Sequence, residues 1–276
     1  LGVNMPYSTK GIVVIVTGGA SGIGAGVVKS FLQEGAKYIA ILDVDEEAGI
    51  KLEKELNNKY SDTKTKFMKC DVSNDAQVGE VLKTVKTEAG NIDLVINSAG
   101  VFQDKLYNKT ININVNGVIS VSMKAYELMR KDVGGRGGAI INFSSVAALV
   151  NMSACPVYSA SKAAVLQFSI CLGKDPNYTR SGVRVMTICF GATDTPILSS
   201  MTDGAFDKDR LLSFYGVLES AVDCVVHAFK EGASASTWLS TDDDAPFELT
   251  SGVEEAYGIL GKEAMQSSLK ILRLNQ

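Results

Sequence analysis

Residues 12–24 read IVVIVTGGASGIG and carry the signals of a strand, a turn and the beginning of a helix. The β-branched run at the start is too short for a helix and is typical of a strand that is covered on both faces. Apolar residues with helical spacing continue from Val27 to Leu32, and Gly35 is suited to the C-terminal cap of that helix. The order of strand, glycine turn and helix predicts the first unit of a parallel α/β sheet.

The glycines of this turn predict a phosphate-binding loop. Gly18, Gly22 and Gly24 have no side chains, so a pyrophosphate can reach the backbone amides and the helix N-terminus. A glycine-rich turn without a ligand is the alternative, and context favours the ligand because a second predicted strand, residues 38–42, ends at Asp43. A carboxylate in that place accepts hydrogen bonds from the adenosine ribose, which favours NAD over NADP. Asp43 can also serve as the N-cap of the acidic helix that follows.

Apolar runs that predict strands alternate with amphipathic patterns that predict helices along the rest of the chain. The remaining predicted strands cover residues 67–70, 94–96, 139–143, 183–188 and 237–240. The predicted helices cover residues 46–58, 75–89, 109–129, 157–172 and 219–230. No linker or repeat separates them, so we predict a single doubly wound (Rossmann-type) α/β domain with a mostly parallel seven-stranded sheet. This catalytic domain should cover residues 10–260, with a C-terminal tail over residues 261–276.

Composition narrows the class of protein. The 276 residues have a formal net charge of −4 and contain no Lys/Arg cluster, which argues against nucleic acid as the main partner. No apolar run reaches the length of about 18 residues that a membrane span needs, and the N-terminus has no signal-peptide pattern, so we expect a cytoplasmic protein. The five cysteines are widely spaced and form no CxxC motif, so we expect neither a disulfide framework nor a metal site. A small molecule is the expected ligand.

Three residues outline a reaction centre. Tyr158 and Lys162 are separated by four positions, so on a helix their side chains leave the same face. A neighbouring ammonium favours the phenolate, and we expect Lys162 to lower the pKa of Tyr158. A Tyr-x-x-x-Lys pair also occurs in helices where the Tyr only packs. Here Ser145 follows the predicted strand 139–143, at the carboxyl edge where open α/β sheets place their sites.

The chain resembles the classical short-chain dehydrogenase/reductase family over residues 10–239. Residues 17–24 resemble the family's cofactor turn, and residues 97–100, NSAG, resemble its Asn-Asn-Ala-Gly motif with one change. The resemblance implies a catalytic tetrad of Asn114, Ser145, Tyr158 and Lys162. It also gives a role to Asn114, which its position inside a predicted helix leaves undecided: the region of its carbonyl holds a water that relays protons from Lys162.

The same resemblance implies which residues bind the cofactor. Asp71-Val72 resembles the adenine-side pair of the family, whereas Cys189-Phe190-Gly191 stands where the family has a Pro-Gly motif. The residues expected to bind NAD are Gly18, Ser21, Gly22, Ile23, Gly24, Asp43, Val44, Cys70, Asp71, Val72, Asn97, Ala99, Tyr158, Lys162, Gly191, Thr193 and Thr195.

Two short runs narrow the resemblance within the family. Residues 155–158, CPVY, and residues 181–184, SGVR, are most similar to NAD-dependent 15-hydroxyprostaglandin dehydrogenases and to insect alcohol-dehydrogenase-like members. Cys155 stands where the prostaglandin enzymes have a glutamine that contacts the substrate. The helix over residues 157–172 has small and apolar residues on more than one face, and the resemblance implies a homodimer formed through it and the helix over 219–230.

These observations predict an NAD-dependent oxidoreductase that converts an alcohol to its carbonyl, with Tyr158 as the base and Ser145 holding the substrate oxygen. Residues 193–215 are rich in apolar side chains and predict a lid over a lipid-like alcohol, although a loop and short helix packed on the core would have the same composition. The expected substrate contacts are Ser145, Cys155, Tyr158, Phe206 and Phe214. The alternatives are a catalytically idle NAD-binding or storage protein and a carbonyl reductase acting in the reverse direction.

Overall fold

A mainly parallel sheet forms the centre of the computed structural model, which describes residues 7–61, 63–199, 216–241 and 243–274. Within these ranges the sheet has eight strands in the order β3-β2-β1-β4-β5-β6-β7-β8. Neighbouring strands from β3 to β7 pair in parallel, and β8 pairs with β7 in antiparallel fashion. The strands are β1 (Val13–Thr17), β2 (Tyr38–Asp43), β3 (Lys64–Lys69), β4 (Leu94–Asn97), β5 (Gly138–Ser145), β6 (Val183–Phe190), β7 (Thr237–Ser240) and β8 (Phe247–Glu248).

Helices cover both faces of the sheet. Helices α1, α2 and α9 contribute to the buried cluster on one face, and α3, α5 and α6 contribute to the cluster on the other. The described helices are α1 (Gly22–Gln33), α2 (Glu46–Lys59), α3 (Asp75–Ala89), α4 (Tyr107–Ile111), α5 (Val118–Met129), α6 (Pro156–Gly173), α7 (Asn177–Ser181), α8 (Pro196–Ser199), α9 (Leu218–Glu231) and α10 (Thr250–Leu274). The architecture confirms the predicted doubly wound α/β fold.

The apolar runs form the strands because both faces of the sheet are covered. Every residue of β1 and of β6 is buried, which suits the uninterrupted apolar run of β1. In β6 the buried Arg184 is accommodated because its guanidinium donates to the carbonyls of Phe229 and Gly232. All seven predicted strands are present, and the additional β8 consists of only two residues. Strand β3 begins at Lys64, three residues before its predicted start, because an edge strand tolerates lysines. Lys64 and Lys66 both form ion pairs with Glu88.

The strand order places a crevice at the carboxyl end of β1. This strand pairs with β2 on one side and with β4 on the other, so the chain reverses the direction in which it builds the sheet at this point. The loops that follow β1 and β4 therefore diverge and leave a space between them, where open α/β sheets bind ligands. The crevice is the expected position of a functional site.

The described residues cover the predicted lid and the predicted C-terminal tail only in part. The described portion of the predicted lid is residues 193–199, which include α8, and Phe206 and Phe214 lie outside the described residues. Helix α10 runs from Thr250 to Leu274 and crosses residue 261, the expected start of a C-terminal tail. The limits of lid and tail stay predictions.

Candidate active site

A cavity of about 400 Å³ occupies the crevice. Its wall comes from the loops after the parallel strands, together with the N-terminal part of α6 and residues around α8. One cavity thus brings together most of the residues that the sequence singled out. Those in its wall are Gly18, Ser21, Gly22, Ile23, Asp43, Val44, Cys70, Asp71, Val72, Ala99, Ser145, Cys155, Tyr158, Lys162, Gly191, Thr193 and Thr195.

The glycine turn after β1 has a shape that side chains would obstruct. Gly18 has a φ of +62°, and a Cβ there would lie 2.7 Å from the Cα of Ala99. A Cβ on Gly24 would lie 2.2 Å from the carbonyl oxygen of Gly18. In this described segment the side chain of Ser21 makes no capping bond to α1, and the first turn of α1 has no acidic residue. The helix N-terminus therefore offers amide groups and a positive dipole end to an anion, as a pyrophosphate requires.

Asp43 connects the end of β2 to this turn. Its Oδ2 accepts a hydrogen bond from the amide of Ala20 at 3.0 Å, and its Oδ1 accepts one from the amide of Asp45 at 3.1 Å. The alternative role as a helix N-cap is wrong, because Asp45 is the N-cap of α2 and accepts from the amide of Ala48. Each carboxylate oxygen of Asp43 has further acceptor capacity, and the residue lines the same cavity as the glycine turn.

The segment after β3 supplies the expected adenine side of the cavity. Asp71 accepts hydrogen bonds from the amide and the hydroxyl of Ser73, so its carboxylate orders the loop. Burial raises the pKa of the Cys70 thiol to about 11, which keeps it neutral at physiological pH. Val72 is buried, whereas Val44 is largely exposed. An apolar and uncharged surface beside one ordered carboxylate suits a heteroaromatic base.

Three of the predicted catalytic residues meet at the ends of β5 and α6. Ser145 is the last residue of β5, and its Oγ donates to the carbonyl of Phe190 at 3.3 Å and accepts from the amide of Ala147 at 3.1 Å. Tyr158 and Lys162 lie one turn apart on α6. Lys162 is buried and its Nζ donates to the carbonyl of Phe143 at 3.0 Å. All three side chains line the cavity.

The fourth predicted catalytic residue, Asn114, lies in a π-helical segment, Asn112–Gly117, between α4 and α5. Its Oδ1 accepts from the amide of Val101 at 2.8 Å, and its Nδ2 donates to the carbonyl of Val101 and to the hydroxyl of Ser161. A Cβ on Gly100 would lie 3.4 Å from Asn114 Oδ1 and 3.5 Å from Lys162 Nζ. Asn114 and Lys162 thus both approach Gly100, and Asn114 ties the loop at Val101 to α6. Turns of π-helix often mark functional positions.

The electrostatics of Tyr158 differ from the expectation. Burial raises its pKa to about 12, and a hydrogen bond with Ser145 opposes that rise. Burial also lowers the pKa of Lys162 to about 8. The expectation that Lys162 lowers the pKa of Tyr158 is wrong for this geometry, because its ammonium is bonded to the Phe143 carbonyl and lies 5.6 Å from the centre of the tyrosine ring. Ser145 is the group that favours the phenolate.

The remaining wall is mostly apolar, and sequence analysis missed much of it. The ring of Phe102 contacts Tyr158 edge to face, with 4.3 Å between ring centres. Burial keeps the nearby Cys155 thiol neutral, since it raises the pKa of that group. Val101 and Phe102 directly follow the NSAG motif, a position that could have indicated them. The apolar lining residues not predicted are Val101, Phe102, Ile113, Phe143, Val146, Ala147, Met152, Phe190, Ala192 and Pro196, whereas Ile197 and Leu198 belong to the predicted lid.

Three predicted residues lie behind the wall. Gly24 packs against Gly18, and Asn114 binds Val101 as described above. The buried amide of Asn97 donates to Ser122 and to Asn142, so its side chain joins β4 to β5 and α5. A direct contact of Asn97 with a cofactor stays a prediction.

Within the described ranges, His, Cys, Asp and Glu side chains nowhere gather in threes or more as metal ligands would. The described helices include none whose length and hydropathy suit a membrane crossing.

Known proteins resemble this chain over most of its length. A family model described as short chain dehydrogenase matches residues 12–205. The 15-hydroxyprostaglandin dehydrogenase (NAD(+)) of Mus musculus is 38% identical over 218 residues, which cover 76% of this chain and 81% of the relative. The enzyme of the same name from Bos taurus is 39% identical over 222 residues, covering 77% and 83%. Alcohol dehydrogenase 1 of Ceratitis capitata is 35% identical over 195 residues, covering 70% and 75%.

Proposed function

The chain belongs to the short-chain dehydrogenase family, and from that premise we propose that it oxidises an apolar, lipid-like alcohol to the corresponding carbonyl. It is an NAD-dependent oxidoreductase. The observation that carries the proposal is the single cavity in which the glycine turn, Asp43 and the side chains of Ser145, Tyr158 and Lys162 all converge. A binding or storage protein would have no need for the hydroxyl, phenol and ammonium groups at one end of a nucleotide-binding crevice.

The residues present fit the dinucleotide. Gly18 and Gly24 leave room for the pyrophosphate at the N-terminus of α1, and Asp43 is placed to receive the adenosine ribose hydroxyls. A 2′-phosphate about 4 Å from the Asp43 carboxylate would be repelled by ~4 kcal/mol at an effective dielectric near 20, less where solvent screens it. This repulsion favours NAD over NADP. When bound, NAD supplies the acceptor for a hydride.

In the proposed mechanism the protein's own residues hold the alcohol and move its proton. Ser145 holds the substrate oxygen, because its Oγ is fixed at the cavity end of β5 by the Ala147 amide and can turn its one proton from the Phe190 carbonyl, 3.3 Å away, to the substrate. Tyr158 accepts the hydroxyl proton as general base. Lys162, held by the Phe143 carbonyl, is proposed to bind the nicotinamide ribose and, with Asn114 beside it, to pass the proton on.

One observation favours the reverse reaction at neutral pH. With its pKa raised to about 12, Tyr158 is protonated there and is ready to donate a proton to a carbonyl oxygen. Oxidation requires the phenolate, so its rate should rise with pH. The same residues in the same places thus serve as a carbonyl reductase when NADH and a ketone or aldehyde are in excess.

The wall of the cavity indicates the class of substrate. Val101, Phe102 and Met152 contribute apolar surface near Tyr158, and Ile197 and Leu198 contribute it from the described part of the lid. Burial of each CH₂ of a substrate against such a surface gains about 0.8 kcal/mol. Among the described lining residues Lys162 is the one basic side chain, so an anionic head group finds no other cation there. A neutral, extended alcohol fits these properties.

The test is the value of kcat/KM along a series of straight-chain primary and secondary alcohols from four to ten carbons, with NAD as cofactor. We expect kcat/KM to increase with chain length, mainly through KM. A flat or falling series, measured below the solubility limit of each alcohol, would reject the apolar substrate. Turnover of no alcohol and no carbonyl compound would favour the idle binding protein instead.

Helix α6 is the element we propose for a homodimer interface. The small or short side chains of Ala160, Ala164 and Cys171 lie on its exposed side. The exposed side of α9, the second helix expected in the interface, instead has the charged residues Glu219 and Asp223. A closely packed apolar interface is therefore better supported for α6 than for α9.

A further inference from the structure

The helix that carries Tyr158 has an unusual N-terminus. Helix α6 begins at Pro156, and the residue before it, Cys155, makes no side-chain capping bond among the described contacts. The first amides of a helix have no partner within the helix and need an acceptor from elsewhere. In α6 that acceptor is Asp104, whose Oδ2 receives the amide of Val157 at 2.9 Å and whose Oδ1 receives the amide of Tyr158 at 3.0 Å.

The carboxylate comes from a segment that is itself fixed. Asp104 precedes Tyr158 by 54 residues and begins a short 3₁₀ turn after β4. Upstream of it, Val101 is held by two hydrogen bonds of the Asn114 amide. The carbonyl of Gln103 accepts from the Thr110 hydroxyl at 2.8 Å. The ring of Phe102 contacts the ring of Tyr158. Residues 101–104 therefore form a rigid strap between Asn114 and the first turn of α6.

We propose that Asp104 is a positioning residue that holds the first turn of α6, and with it the phenol of Tyr158, against Ser145. The role rests on the proposed function, because it matters only if Tyr158 exchanges a proton with the substrate. Ser145 is fixed on β5 by its own bonds to Phe190 and Ala147. Because Ser145 is fixed, the N-terminal end of α6 is the part that moves when the amides of Val157 and Tyr158 lose the Asp104 carboxylate as their acceptor.

Loss of the carboxylate has two consequences that a general loss of stability would not produce. Misplacement of a reacting group by about 1 Å can lower a rate by roughly a hundredfold. A weaker bond between Ser145 and Tyr158 also removes the group that lowers the pKa of the phenol, so the pH profile of oxidation should move to higher pH. The cofactor turn follows β1, outside residues 101–104 and the first turn of α6, and should keep its geometry.

The experiment compares Asp104→Ala and Asp104→Asn with a matched control, Asn74→Ala. Asn74 is the N-cap of α3 and accepts from the amide of Gln77, so its loss removes a helix cap outside the cavity wall. Asn at position 104 has nearly the same size as Asp but has one acceptor oxygen in place of two. For each protein we would measure kcat against pH, the Kd of NADH by fluorescence, and hydrogen exchange of the 155–162 amides without cofactor.

We expect Asp104→Ala to lower kcat at least about tenfold, to shift the ascending limb of the pH profile of oxidation to higher pH, and to change the Kd of NADH less than about threefold. Exchange of the 155–162 amides should accelerate in this variant and not in Asn74→Ala, with Asp104→Asn between the two. If Asp104→Ala does not fold, the kcat, pH profile and exchange of Asp104→Asn decide the question.

Equal losses of kcat in the Asp104 and Asn74 variants, or an unchanged pH profile and unchanged exchange at residues 155–162, would overturn the role of Asp104 while leaving the proposed function in place. Absence of turnover in the unsubstituted protein would instead refute the proposed function, and with it this role for Asp104.

Discussion

The buried amine of Lys162 should make the protein less stable than it would be without it. Burial lowers the pKa of this residue from its ordinary value of 10.5 to about 8. That difference corresponds to roughly 3 kcal/mol of unfavourable free energy for the charged form in the folded state. The perturbation that tests it is Lys162→Met, which keeps most of the volume and removes the charge.

The sign of the pH dependence follows from the lowered pKa. Well below pH 8 the amine of Lys162 is protonated in both the folded and the unfolded chain, so the folded state bears the full free-energy cost of burying the charged amine. Between about pH 8 and pH 10.5 the unfolded chain binds more protons than the folded one, so the stability of the wild type rises with pH through this window. We expect the free energy of unfolding of the wild type minus that of Lys162→Met to increase by roughly 2–3 kcal/mol from pH 7 to pH 10.

The assay is urea unfolding of both proteins at the two pH values, with reductant and without cofactor. The variant also loses the bond to the Phe143 carbonyl, worth ~1 kcal/mol or more, but this loss is present at both pH values and cancels in the comparison. Lys86→Met is the matched control, because Lys86 is half-buried and also donates to a main-chain carbonyl, that of Leu128. If this stability difference changed equally with pH for Lys162→Met and Lys86→Met, or changed for neither, burial would not lower the pKa of Lys162 as we expect.

Two further predictions concern the cofactor and the assembly. We expect the unsubstituted protein to bind NAD at least about tenfold more tightly than NADP, and Asp43→Ala should narrow this difference because the repulsion of the 2′-phosphate is lost. Calorimetric titration with both cofactors measures the two affinities. Equal affinities in the unsubstituted protein would exclude a role of Asp43 in cofactor choice. Ala164→Glu should dissociate a homodimer formed through α6, since Ala164 is exposed on that helix, whereas His227→Glu on the exposed side of α9 should not. Light scattering at micromolar concentration measures the molar mass of both variants. A monomeric unsubstituted protein would contradict the proposed interface.

Most of the sheet and the cofactor crevice were predictable because their signals are local. An apolar run buried on both faces, as in β1, has few alternatives to a parallel strand. The glycines of the turn are required because a Cβ would clash there; on Gly24 it would lie 2.2 Å from the carbonyl oxygen of Gly18. The start of β3 was harder to predict, because lysines on an edge strand obscure the strand pattern.

The parts that escaped prediction depend on contacts between distant residues. The bond from Asp104 to the first turn of α6 joins positions 54 residues apart, and no sequence spacing indicates it. The π-helical turn at Asn114 and the raised pKa of Tyr158 likewise arise from packing and burial in the folded chain. The expectation for Tyr158 considered the charge of Lys162 and omitted the cost of burying a phenolate, which proved to be the larger effect.

The acid–base role of Tyr158 can be tested by the turnover of an alcohol with NAD, measured for the unsubstituted protein and for Tyr158→Phe. Phenylalanine keeps the ring that packs against Phe102 and removes the hydroxyl that we propose as the acid–base group. We predict that kcat falls at least about a hundredfold while the Kd of NADH changes less than about threefold. A Tyr158→Phe protein that retained more than about a tenth of the wild-type kcat would contradict the claim that Tyr158 is the acid–base group.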